Sequence, residues 1–141
     1  TGNSPQHCAI RRWRTQRDCR VLVHGVISHA NEQGDGIRMR VVAPGGKVLA
    51  DVSVHNGTQP LAVPAIELRA GEWLDFVADC AGGPSHDTFG SRFVVSQSMG
   101  TGAPRVWKSE EDFREVAAPR QDAWAQLAQT LLMTNEFCFV D

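Results

Sequence analysis

Over roughly the first two thirds of the chain, short apolar runs alternate with polar residues and are broken at intervals by Gly, Pro, Asn and Asp. A period of two places every second side chain on one face of an extended strand, so this pattern predicts a mainly β protein, an antiparallel sandwich. The clearest run covers residues 20–29. There Val21, Val23, Gly25 and Ile27 share one face, while Leu22, His24, Val26 and Ser28 share the other. Asn31, Gly34, Asp35 and Gly36 then make a loop signal, because these residues tolerate left-handed backbone or bond their own main chain. Ile37, Met39 and Val41 alternate with Arg38, Arg40 and Val42, and Pro44-Gly45-Gly46 predicts a tight turn into a partner strand over 47–55. After a stretch punctuated by prolines, two strands are expected over 65–69 and 72–80, and a last one over 87–95. With a first strand near Ile10, about seven strands result.

Beyond this region the period changes from 2 to 3.6. The division predicted is a sandwich over 1–96, a linker over 97–108 rich in Ser, Gly and Thr, and a short helical C-terminal tail over 109–141. Ser109-Glu110-Glu111-Asp112 has the form of a helix N-cap followed by acidic residues, which the helix dipole favours in a first turn. That helix should stop before Pro119. A second helix is predicted from Asp122 to about Thr134, because Trp124, Leu127, Ala128, Leu131 and Leu132 trace one apolar stripe.

Composition bounds the reading without redirecting it. A length of 141 residues suits one main domain with an appendage. Fourteen basic against 16 acidic side chains create no field that would favour a nucleic-acid backbone or an anionic membrane, so neither partner is expected. The one basic cluster, Arg11, Arg12, Arg14, Arg17 and Arg20 around Trp13, reads as the wet face of the first strand. No apolar run is long enough to span a bilayer. The chain begins with Thr and carries no basic-then-apolar leader, which points to a mature form or a segment of something longer.

Cys8, Cys19, Cys80 and Cys138 have no C-x-x-C, haem-attachment or zinc-ribbon spacing, so thiol-bound metal and haem are not expected. Cys19 and Cys80 fall at predicted strand ends and are candidates for a disulfide, although spacing leaves three full pairings open.

The final stretch, Asp122 through Thr134-Asn135-Glu136-Phe137-Cys138-Phe139-Val140-Asp141, resembles the C-terminus of the large planctomycete cytochrome-associated proteins of unknown function, which close on an Asn-Glu-Phe-x-Phe-Val-Asp signature. Residues 32–36, 54–57 and 71–80 are similar to a sandwich domain inserted in those proteins. The resemblance implies a piece of an exported, multi-domain bacterial protein of the periplasm or cell envelope, whose c-type haem domain lies elsewhere. It also implies a jelly-roll-like insert patterned on the carbohydrate-binding modules of secreted proteins. Gly90-Ser91-Arg92 stands where that insert carries a Trp, which removes an aromatic sugar platform from the last strand.

Candidate chemistry is sparse. A nucleophile, base and acid are easily assembled on paper from Ser28 or Ser85, a His and an Asp, but no Gly-x-Ser-x-Gly elbow supports a hydrolase, and an enzyme is not expected. The polar residues His29, Asn31, Asp35, His55 and Asn56 fall at the ends of neighbouring strands. Converging on one rim, they would bond the hydroxyls of a polysaccharide, with Trp13 or Trp73 as stacking face. The competing reading makes Asp35 and Asn56 simple turn residues. Asp79 and Asp87 flank a glycine-containing loop and are the candidates for a calcium ion, against the preferred reading of simple turn chemistry. The helical tail is expected to bind the remaining domains of the parent protein.

Overall fold

The computed structural model describes residues 8–83, 85–98 and 104–113. Eight strands are found among them: β1 (Ala9–Arg14), β2 (Cys19–His29), β3 (Ile37–Ala43), β4 (Lys47–Val54), β5 (Gly57–Leu68), β6 (Trp73–Cys80), β7 (Phe89–Ser98) and β8 (Arg105–Lys108). They form two antiparallel four-stranded sheets, β1-β6-β3-β4 and β5-β2-β7-β8, packed face to face. The protein is a β-sandwich, as the alternation predicts.

The inward positions are those the period of two singles out. Val21, Val23 and Ile27 of β2, Ile37, Met39 and Val41 of β3, Leu74, Phe76 and Ala78 of β6, and Phe93 and Val95 of β7 are all buried. Phe76 and Phe93 stack across the two sheets with centroids 4.8 Å apart. This stack depends on Gly25, which sits opposite Phe93 in the β2–β7 register. A Cβ there would overlap the Arg92 carbonyl oxygen and lie 2.6 Å from Phe93 Cδ1. The β3–β4 hairpin turns through Pro44–Gly46, where Gly45 and Gly46 have φ of 76° and 77°, a region that side chains disfavour.

Three expectations need correction. The strand expected over 65–69 belongs to a longer one, β5, which begins at Gly57 and runs through Pro60 and Pro64. Proline cannot donate to a ladder, but β5 is an edge strand, and Pro64 lies where the β2–β5 register slips between Val21 and Val23. Second, β7 extends to Ser98 and β8 occupies Arg105–Lys108, both within the stretch read as a linker. Only four residues of β8 carry the period, too few to stand out beside Pro104 and the Gly- and Ser-rich run before it. Trp107 of β8 nonetheless closes the open side of the sandwich, edge-on to Trp13 of β1 at 5.2 Å.

Third, Ser109–Asp112 forms a turn rather than a helical first turn. Ser109 exchanges backbone and side-chain bonds with Phe93: its N–H donates to the Phe93 carbonyl at 2.8 Å and its Oγ accepts from the Phe93 N–H at 2.9 Å. Phe113 then reaches over Phe76 at 5.4 Å. The helices expected after Phe113, with Trp124 and its leucine stripe, lie outside the described residues, as does Cys138.

Cys19 and Cys80 are buried and not bridged. Cys19 opens β2 opposite Leu68, whereas Cys80 ends β6 opposite Ile37, beside the loop that receives the far end of β2. The two thiols therefore sit at opposite ends of the sandwich, far beyond the roughly 7 Å Cα separation that a disulfide tolerates.

Candidate functional site

The alternation that buries Val21, Val23 and Ile27 continues to position 29, so β2 delivers an imidazole to the inner face at its last residue. His29 is wholly buried. Its Nδ1 accepts the Asn56 backbone N–H at 3.3 Å, which leaves the ring proton on Nε2, 3.0 Å from the His86 carbonyl that accepts it. One neutral ring thus ties the β4–β5 crossover to the loop before β7. Both loops turn through left-handed residues, Asn56 (φ 41°) and His86 (φ 66°). The His55 ring lies 5.8 Å from His29, tilted by 32°.

The loop before β3 folds over the same end. Asn31 Oδ1 accepts the Gln33 N–H at 2.9 Å, a local turn bond. Asp35 Oδ2 accepts the Gly83 N–H at 2.8 Å, and the Asp35 carboxylate lies so close to Gly82 that a Cβ there would overlap it. The backbone of Gly34 presses on His29 and His86: a Cβ at 34 would be 3.1 Å from the His86 carbonyl oxygen and 3.2 Å from the imidazole.

Beneath these loops lies Asp87, with its side chain 1% exposed. Neither carboxylate oxygen has a hydrogen-bond partner among the described residues. Its Oδ1 is 3.8 Å from His29 Nε2, too far for a bond from a proton already given to His86. Burial pushes the Asp87 carboxyl above the ordinary carboxylate range and the charge of Asp35 adds to that.

The five rim residues His29, Asn31, Asp35, His55 and Asn56 are thus brought to one end, but the two tryptophans are not. Trp13 and Trp73 sit at the other end, in the β1–β6 register opposite Leu74 and Arg14. Trp13 is buried against Trp107, and Trp73 lies under the Arg12 guanidinium at 4.7 Å, which itself holds Asp75 at 2.7 and 2.8 Å. Trp13 is thus taken up by internal packing, and one face of the half-buried Trp73 is covered by the exposed Arg12 guanidinium. Phe89, opposite His29 in β7, is half-buried against the core.

Asp79 and Asp87 also separate. Asp79 belongs to the outward set of β6 and is paired with Arg40 at 2.5 Å, whereas Asp87 is held under the loops beside His29. The acidic group whose charge acts on Asp87 is Asp35, distant in the chain and brought near it by the folding of the loops. His86 escapes such reasoning altogether; its backbone carbonyl, not its side chain, is the functional group, and no residue-type signal reveals that.

Ser28 and His29 are neighbours in β2 and face opposite sides of the sheet, so they cannot act as a nucleophile and its base. Ser28 instead borders an open hollow of about 410 Å³ on the outer face of β2 and β7, with Val26, Thr58, Ser91, Arg92 and Glu110. Arg92 and Glu110 are paired there at 2.9 Å. Among the described residues no three His, Cys, Asp or Glu side chains are grouped to hold a metal ion, and no helix is long and apolar enough to cross a membrane.

No protein-family model, curated protein or solved structure matches the chain.

Proposed function

We propose that this chain is a non-catalytic accessory module of an exported, multi-domain bacterial protein of the cell envelope: a jelly-roll-like sandwich that holds neighbouring domains in place, with a helical C-terminal tail that docks against them. The observation that carries this reading is the inward use of its polar and aromatic groups. His29 commits both ring nitrogens to loop backbone, and Trp13 and Trp107 seal the sandwich rather than lining a cleft. Such an end is built to fix the course of loops. The nested pairings of β2 with β7 and β3 with β6 support the jelly-roll-like form, from which β1 departs by lying beside β6, and β4 and β8 by pairing with β3 and β7. The resemblance of the last 20 residues to planctomycete cytochrome-associated proteins supports the larger parent.

Polysaccharide binding is the second reading, and it rests on the hollow beside Ser28. Its hydroxyls from Ser28, Thr58 and Ser91 and the Arg92–Glu110 pair are groups that bond sugar hydroxyls. Affinity electrophoresis of the whole chain through gels cast with a panel of polysaccharides separates the two. Unretarded migration by a folded sample is expected. Retardation by any of them, abolished in Arg92→Ala, would replace the scaffold with the sugar-binding module.

A further inference from the structure

Asp87 presents a problem that its neighbours do not solve. An ionised carboxylate removed from water needs a cation or several hydrogen bonds, and among the described residues this one has neither, although its side chain is almost wholly buried. Protonation would remove the charge but would still leave a hydroxyl and a carbonyl unbonded. The nearest positive candidate, His29, cannot serve: its Nδ1 receives the Asn56 N–H and its Nε2 proton goes to His86, so the ring is neutral.

A second carboxylate is carried to the same place. The backbone of Gly34 runs so close to the His86 carbonyl that a Cβ there would lie 3.1 Å from it, and the residues that follow each of them, Asp35 and Asp87, are near enough for the charge of Asp35 to act on Asp87. Asp35 is held there by the Gly83 N–H, with its carboxylate packed against the Gly82 backbone. Two carboxylates at one end of the sandwich, Asp35 exposed on its loop and Asp87 buried and unbonded beneath it, with main-chain carbonyls of the same loops nearby in the chain, are the oxygen groups that a hard divalent cation takes.

We propose that Asp35 and Asp87 together bind a calcium ion at the His29 end of the sandwich, with loop carbonyls and water supplying the other oxygens. Calcium takes about six to eight oxygen ligands in flexible geometry, which suits a pair of carboxylates on two loops better than the strict octahedron of magnesium. His29, the imidazole nearest Asp87, has both ring nitrogens committed to loop backbone, which favours oxygen ligation over a zinc-type site. The ion would cross-link the loops before β3 and β7, a role that goes beyond the scaffold reading and stands whether or not the hollow binds sugar.

The test is thermal unfolding of the whole chain, stripped with EDTA and dialysed, then titrated with calcium chloride and followed in parallel by isothermal titration calorimetry. Saturating calcium is expected to raise Tm by about 5 °C or more, as linkage requires of a ligand bound to the folded state alone. Magnesium at the same concentration should raise it less. Asp35→Asn keeps an acceptor for the Gly83 N–H, so it should fold, and it should lose most of the calcium response. Asp87→Asn should lose it too, while Asp79→Asn should retain it. Absence of heat and of any Tm rise in the native chain would overturn the proposal. So would an equal rise in Asp35→Asn, or an equal rise with magnesium.

Discussion

Position 25 shows how one residue decides whether the two sheets meet. Gly25 has no side chain to fill an inward slot, and Phe93 fills it from the neighbouring strand before stacking on Phe76. Gly25→Ala must displace the β7 backbone or the ring, and overpacking of this kind costs about 2–3 kcal/mol, readable as a lower urea midpoint with unchanged slope. His29 is the polar counterpart. Removing it empties a buried space and strands the Asn56 N–H and the His86 carbonyl, so His29→Ala is expected to lose roughly 3–4 kcal/mol in the same assay. Hydrogen exchange should show the Asn56 amide, protected in the native chain, exchanging freely in the variant.

Among the elements, the outer face of the β1-β6-β3-β4 sheet is held by charge pairs rather than by packing. Arg12 grips Asp75, Arg40 grips Asp79, and Arg38 grips Asp51 at 2.8 and 2.5 Å across β3 and β4. These pairs account for the basic cluster only in part: Arg12 is neutralised by Asp75, and Arg14 donates to the Gly71 carbonyl at 2.8 Å. The hydrogen bonds from Arg38 hold the Asp51 carboxyl below its ordinary value of 3.8. A carboxyl depressed in the folded state stabilises it above the unfolded value and ceases to do so as pH falls through the folded one. Arg38→Ala is therefore expected to lower Tm slightly at about pH 6, by an amount that shrinks from about pH 4 downward and vanishes in strong acid. Because both groups are partly solvated, the difference should also shrink in about 0.5 M salt.

The whole molecule is closed on one side by contacts between the first and last described strands. Trp13 of β1 and Trp107 of β8 lie in different sheets, at the edges where β1 and β8 face each other, and Phe113 covers Phe76 just beyond. Trp107→Ala should open this side, destabilise the chain by about 2–3 kcal/mol and increase the quenching of Trp13 fluorescence by acrylamide. A Trp107→Phe variant, keeping an edge-on ring, should recover most of the loss.

Much of this architecture is written into the chain locally. A period of two needs only neighbouring residues to be read, so the inward sets of β2, β3, β6 and β7 and the Pro44–Gly46 turn are legible in the amino-acid order alone. The rim residues His29, Asn31, Asp35, His55 and Asn56 are legible as strand ends for the same reason. Where the information is not local, the sequence is silent or misleading. Prolines read as interruptions of β5, because only the sheet order reveals that it is an edge. Trp13 and Trp73 read as free to stack on sugar, because nothing near them in the chain reveals Trp107 or Arg12. Asp87 reads as the companion of Asp79, close by in the chain, when Asp79 pairs with Arg40 and the carboxylate whose charge acts on Asp87 is Asp35. Composition and period thus determined that the chain would pair strands into a two-layer sandwich, since those are short-range consequences of side-chain spacing and burial. Which aromatic groups face water, which cysteines can meet and which carboxylates lie near one another were decided only by tertiary structure, because each depends on partners distant in sequence.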